Sequence, residues 1–158
     1  MPGAGPQPPT GRAARPPRSL VLFVARLARG QCSVGTCREP DSRPRRLGMA
    51  RAVRVEKPAF IGRASLERTG KLDDDRRWFG FAMDGEAPPE GSPIRAPGGS
   101  GEIIGNVTGS WTSPLLGKGL ILGWQRRRPF LDRVEIDGRE AIVTPTPFYD
   151  PEGLRARA

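Results

Sequence analysis

Between Trp78 and Thr144 every apolar stretch is cut short by a turn signal: Asp84-Gly85, Pro88-Pro89-Glu90-Gly91, Pro97-Gly98-Gly99-Ser100-Gly101 and Asp137-Gly138. Glycine supplies the positive φ of tight turns and proline fixes a bend, so punctuation at this pitch leaves room for short strands and none for long helices. The strands expected are Trp78 to Met83, Ser92 to Arg95, Glu102 to Ser110, Gly119 to Arg126, Phe130 to Ile136 and Glu140 to Thr144. Asp137-Gly138 is a hairpin signal between the last two. Many short strands close together predict an antiparallel sandwich or barrel. The fold expected is therefore mainly β: a small antiparallel Greek-key-like barrel of about six strands, preceded by one short helix and a disordered N-terminal tail. Its core is expected from Trp78, Phe79, Phe81, Ile103, Val107, Leu120, Leu122, Val134, Ile136, Ile142 and Val143. The helix is expected at 60–69, with Gly70 as its stop.

Charge divides the chain. Up to Gly48 there are nine arginines against Glu39 and Asp41, whereas the remaining residues hold 17 bases and 15 acids. The net charge of +9 thus belongs mostly to the N-terminal stretch, and says little about the folded part. That stretch also carries much of the proline and glycine, and residues 1–47 are expected to be disordered. The run Leu20 to Ala25 is too short to span a bilayer, which needs about 20 residues. Residues 48–70 form a helical lead-in, 71–153 the barrel, and 154–158 a short tail.

Several chemistries are excluded or weakened. The sequence has no histidine, which removes the commonest general base and metal ligand, and with it Ser-His and Cys-His nucleophiles. Cys32 and Cys37 alone cannot close a zinc site. Residues 105–119, GNVTGSWTSPLLGKG, look like a phosphate loop. No Ser or Thr follows Lys118, however, and a strand rather than a helix comes next, so the mechanism of that motif is incomplete. Asp73-Asp74-Asp75 lacks the alternating spacing of a calcium loop and reads as a solvated turn. Arg126-Arg127-Arg128 before Pro129 reads as a solvated charge run.

Six blocks occur in a telling order: Phe60-Ile61-Gly62-Arg63, Phe79-Gly80-Phe81, Gly91 before a turn, Ile104-Gly105-Asn106-Val107-Thr108, Ser113-Pro114-Leu115-Leu116-Gly117-Lys118, and Pro147-Phe148-Tyr149-Asp150-Pro151. Over residues 48–153 the chain resembles the C-terminal part of the glycine cleavage T-protein (aminomethyltransferase) family, which includes the folate-binding modules of sarcosine and dimethylglycine oxidising enzymes. The resemblance implies a small β-barrel that is the last of three lobes around a central tetrahydrofolate. It implies that 48–70 lead in from a middle lobe, and that Thr108, Ser113 and Pro114 shape a turn between barrel strands. Phe60, Gly62, Gly105, Thr108, Ser113, Pro114, Gly117, Lys118 and Phe148 are then motif residues with structural roles. The chain departs from the family at Thr108-Gly109-Ser110, where Thr-Ser-Gly is usual, and in a short segment between Lys118 and Gly138.

The resemblance makes Arg63 and Tyr149 the folate-proximal candidates. A guanidinium suits a folate tail carboxylate; the competing reading is a solvated helix arginine for Arg63 and core packing for Tyr149. Phe148 and Tyr149 are expected over an open end of the barrel. The family's catalytic aspartate belongs to the first two lobes, to which residues 1–47 bear no likeness, so no catalytic residue is expected here. One-carbon transfer needs a positioned folate and a group to manage protons, and the barrel alone supplies neither. Tetrahydrofolate is implied for the full family protein. The expected partner is a polypeptide carrying the missing lobes, in the cytoplasm, with no metal, no membrane and no specific nucleic acid. The alternative is a small basic barrel that binds nucleic acid non-specifically, which requires aromatics displayed on an exposed sheet face.

Overall fold

The computed structural model describes residues 18–31, 42–54, 56–70, 75–99, 101–126 and 128–154. Six strands, β1 (Arg77–Asp84), β2 (Pro93–Arg95), β3 (Ile103–Ser113), β4 (Lys118–Gln125), β5 (Arg133–Ile136) and β6 (Arg139–Val143), close into an antiparallel barrel in the order β1-β4-β3-β2-β5-β6. Among the described residues, two helices, α1 (Arg18–Ala28) and α2 (Arg63–Gly70), and a 3-10 turn at Ala50–Ala52 precede it. The barrel and its strand number match the sequence reading. The hairpin between β5 and β6 turns at Asp137 (φ 52°) and Gly138 (φ 69°), both left-handed as a two-residue turn of this kind requires.

Alternation along the strands builds two apolar layers. Phe81, Met83, Ile94, Ile104, Val107, Ile121, Val134, Ile136 and Ala141 fill the barrel, with Phe79, Leu131 and Val143 at the margins. The opposite faces of β1 and β4 supply Trp78, Leu120, Leu122 and Trp124 to a second layer outside the wall, joined by Leu27 and Phe23 of α1, and by Leu47, Trp111 and Phe148. β4 is therefore buried on both faces, which accounts for its nearly unbroken apolar run.

Two expected core residues face outward. Ile103 is 61% and Ile142 47% exposed, and their neighbours Ile104 and Ala141 are the buried ones. In β6, Ala141 lies opposite Val134 and shares its inward face, which puts Ile142 outside beside Ala82. At Ile103 the β2–β3 ladder shifts register between Ile94 and Arg95, and the irregularity changes which residue points in.

The N-terminal reading also changes. Within the stretch expected to be disordered, α1 is an ordered helix whose Leu27 is 2% exposed, held by the outward apolar residues of β1 and β4. Cys32 and Cys37 lie outside the described residues. The lead-in helix begins three residues later than expected and includes Gly70. Nor does Phe148 cover an open end of the barrel. Phe148 lies on the outer wall, where a Cβ at Gly80 would meet its Cζ at 2.7 Å, and its N–H donates to the Ala28 carbonyl at 2.9 Å.

Candidate functional site

Thr108 sits where β3 carries one residue more than β4 between Val107 and Gly109. A bulge of this kind leaves a side chain free to bond locally. Its Oγ1 accepts from the Trp78 indole Nε1–H at 3.3 Å, and its hydroxyl donates to the Leu122 carbonyl at 3.0 Å. Thr108 is buried, so both bonds are shielded from water. Its role is to fix β1, β3 and β4 to one another at the bulge. Thr108→Val is expected to remove both bonds and strand the indole N–H, at about 1–3 kcal/mol. Urea titration checks this, with Thr108→Ser expected to retain most of the stability.

β3 and β4 are joined by a turn over 114–117, flanked by Ser113 and Lys118, whereas Thr108, expected to help shape that turn, lies within β3 because the strand runs on to Ser113. The Ser113 Oγ accepts from the Leu116 N–H at 3.2 Å, the Gly117 N–H donates to the Ser113 carbonyl at 2.9 Å, and Gly117 takes φ 63°. Lys118 opens β4 and pairs at 3.7 Å with Asp84 across the ladder, at an exposed position. A strand follows the lysine, and the amide groups of 114–117 belong to a turn, so this is no phosphate cradle. Gly105 has a different purpose: β3 and β4 approach so closely there that a Cβ would fall 1.7 Å from the Trp124 carbonyl oxygen.

At the start of α2, Gly62 (φ 91°) turns the chain into the helix. The Arg63 Nε–H donates to Glu67 Oε1 at 2.7 Å, and its Nη1 donates to the carbonyls of Lys57 and Pro58 at 2.7 and 2.8 Å. The guanidinium thus ties the preceding loop to the helix. Beside it lies an open cleft of about 390 Å³ lined by Ala52, Val53, Arg54, Lys57, Phe60 and Leu66, an apolar floor with two cations at its rim. Tyr149 is half-buried in the exit segment after Phe148.

The sequence residues singled out therefore fall at the α2 start, the β3 bulge, the hairpin and the exit, and most of their polar atoms are occupied in holding backbone. One such residue was missed. Gln125 is fully buried at the inward end of β4, where its Nε2–H donates to the Leu131 carbonyl at 2.8 Å and its Oε1 accepts from the Leu131 N–H at 2.9 Å. The side-chain amide substitutes for a strand neighbour and anchors the loop that leads to β5. A glutamine at an inward position after Ile121 and Gly123 was the available signal.

The arginines beside it are also engaged. Arg126 Nη2 donates to Asn106 Oδ1 at 3.0 Å, Arg76 stacks 4.4 Å above the Trp124 ring, and Arg77 and Arg128 approach the Phe130 ring at 5.3 and 5.8 Å. Arg127 lies outside the described residues, as do Asp73 and Asp74. Trp78, Phe81 and Trp124 are buried, and no exposed aromatic platform for base stacking is formed by them. Among the described residues no cluster of acids, cysteines or histidines has the arrangement of a metal site. Among them, too, no helix is long and apolar enough to cross a membrane.

Comparison with known proteins points one way. The family described as glycine cleavage T-protein C-terminal barrel domain matches residues 76–150. The aminomethyltransferase of Halothermothrix orenii is 31% identical over 102 residues, which is 64% of this chain and 28% of that protein. The probable aminomethyltransferase of Thermococcus gammatolerans is 36% identical over 100 residues, or 59% of this chain and 24% of its own length. The aminomethyltransferase of Thermosynechococcus vestitus is 30% identical over 148 residues, covering 89% of this chain and 38% of that protein. The crystal structure of glycine cleavage system aminomethyltransferase T from Bartonella henselae superposes with a TM-score of 0.69 at 22% identity, over 82% of this chain and 38% of that one. At that identity the likeness is one of fold. The chain spans between 24% and 38% of the length of these proteins.

Proposed function

Residues 76–150 belong to the glycine cleavage T-protein C-terminal barrel family, and from that membership we propose that the chain is the closing lobe of an aminomethyltransferase-like protein of tetrahydrofolate-dependent one-carbon metabolism, not catalytic by itself. The observation that carries this reading is the extent of the match. It takes in the barrel from β1 to the exit segment, while most of each relative's length lies outside the chain.

The chemistry of the barrel supports the second half of the proposal. Aminomethyl transfer needs a polar group held at the reacting nitrogen of a bound folate. Thr108, Ser113 and Gln125 spend their side-chain polar atoms on backbone or on a neighbouring side chain. In the assembled protein, Arg63 and Tyr149 are the side chains we place nearest the folate. Arg63 retains Nη2, which carries no hydrogen bond to another described residue, for a tail carboxylate. The setting is cytoplasmic, and the partner is a polypeptide that carries the remaining lobes. The 158-residue chain, assayed with tetrahydrofolate and a methylated amine, is expected to give no aminomethyl transfer or demethylation above the uncatalysed background. Turnover that scales with the concentration of the purified chain would sink the proposal.

A further inference from the structure

Residues 49–70 carry five bases, Arg51, Arg54, Lys57, Arg63 and Arg68, against two acids, Glu56 and Glu67. Glu67 is already taken by Arg63 at 2.7 Å. Two of the other cations, Arg54 and Lys57, line one cleft. The Lys57 N–H donates to the Arg54 carbonyl at 3.4 Å, and the turn so formed brings both side chains to the rim of the hollow of about 390 Å³ beside α2. Among the described residues neither cation has a side-chain hydrogen bond or an ion pair. Glu56 stands between them in the sequence but does not line the cleft. Val53, Phe60 and Leu66, each half-buried, give the hollow its apolar floor. One wall is fixed in advance: Arg63 on α2 donates to the Lys57 and Pro58 carbonyls, so a ligand has little left to order there.

We propose that this cleft binds a small amphipathic anion, with its carboxylate between Arg54 and Lys57 and an unbranched hydrocarbon body over Val53, Phe60 and Leu66. The hollow falls in the size range of small-molecule sites, about 300–1,000 Å³, and an apolar floor with a few convergent charges is their usual make-up. Charge sets the sign of the ligand, because an anion shared between two cations that have no other partner is attracted by both. The floor sets its body. The lining side chains include no hydrogen-bond acceptor, so a heterocycle bearing N–H groups, folate included, would lay donors against carbon, whereas a hydrocarbon chain has none to lose. The inference therefore concerns a ligand other than folate and does not rest on the function proposed above.

The test titrates the full 158-residue chain with octanoate, below its micellar concentration, in a calorimeter. One saturable site per chain is expected. Affinity should rise about twofold to fourfold for each methylene added from hexanoate to octanoate, as for a carbon that leaves water. Octanol, which keeps the body and lacks the charge, should bind at least about tenfold more weakly. Arg54→Glu and Lys57→Glu should each weaken octanoate by at least about tenfold, since each replaces an attraction by a repulsion. Arg68→Glu makes the same change of charge on α2 outside the lining, and should leave affinity within about twofold. Circular dichroism melts show whether each variant keeps the wild-type transition, and Arg54→Gln and Lys57→Gln stand in for one that does not. A loss in Arg68→Glu equal to that in Lys57→Glu reduces the binding to general attraction by a basic segment and overturns the site. No saturable binding at millimolar octanoate overturns it as well. Displacement of octanoate by tetrahydrofolate overturns the ligand class and assigns the cleft to folate, which leaves the function proposed above standing.

Discussion

Phe81→Ala is expected to cost about 3–5 kcal/mol, the usual range for removing a fully buried aromatic ring from a core that cannot collapse around the gap. Phe81 has no exposed surface, lies at the centre of β1, and pairs across the ladder with Ile121 on one side and Val143 on the other. The two strands that flank β1 close the barrel, so they cannot both move inward to fill the space. A domain of this size has a total stability of only about 5–15 kcal/mol. The variant should therefore lose its cooperative urea transition or shift it far toward zero denaturant. A loss below about 1 kcal/mol, the value for a well-accommodated substitution, would mean that the inner cluster is not what holds the barrel together.

Gly105→Ala is expected to be about as severe for the opposite reason, since it adds a methyl group where no space exists. The new Cβ would stand 1.7 Å from the Trp124 carbonyl oxygen, 2.8 Å from its carbonyl carbon and 3.3 Å from the Gln125 Cα. All three atoms are backbone, so no side chain can swing away, and β3 and β4 must separate at the point where Gly105 faces Gln125. Overpacking of this kind costs about 1–3 kcal/mol where a core can give, and more where it cannot. We expect about 3 kcal/mol or more. Gly109→Ala on the same strand is the matched control. There the nearest atom is Leu27 Cδ1 at 3.6 Å, an ordinary contact, and stability should change little. Chemical denaturation of the two variants side by side separates a local steric effect from a general intolerance of β3 to alanine.

The strands were legible in the sequence because turn chemistry is local: Asp84-Gly85 and Asp137-Gly138 end strands for reasons contained in two residues. Which residue of a pair points inward was less so. Ile103 and Ile104 are chemically alike, and only the register shift between β2 and β3, a property of two strands together, decides between them. α1 was hidden by its surroundings. Arginine and proline on either side gave the segment the composition of a disordered tail, while its stability comes from Leu120, Leu122 and Trp124, almost a hundred positions later in the chain. The signal was present in β4, where an unbroken apolar run on a small barrel implies a cover outside the wall. Among the candidate site residues, the motif positions Gly105, Thr108, Ser113 and Gly117 stood out by their order. Their purposes, a close approach, a bulge lock and a turn, depend on distances that no spacing in the sequence specifies.

The bond from the Phe148 N–H to the Ala28 carbonyl joins α1 to a segment that follows the whole barrel in the chain. β1 likewise finds its two neighbours in β4 and β6, both encoded after it. During synthesis α1 and β1 therefore emerge before β4 and β6, and part of their apolar surface is uncovered in the interval. Pairings this distant in sequence form slowly, and unpaired edges and uncovered apolar helices are open to wrong associations in the interval. A pause while the segment from β4 to Phe148 is being made is therefore expected to lower the yield of native protein, since it prolongs the exposure of everything before it.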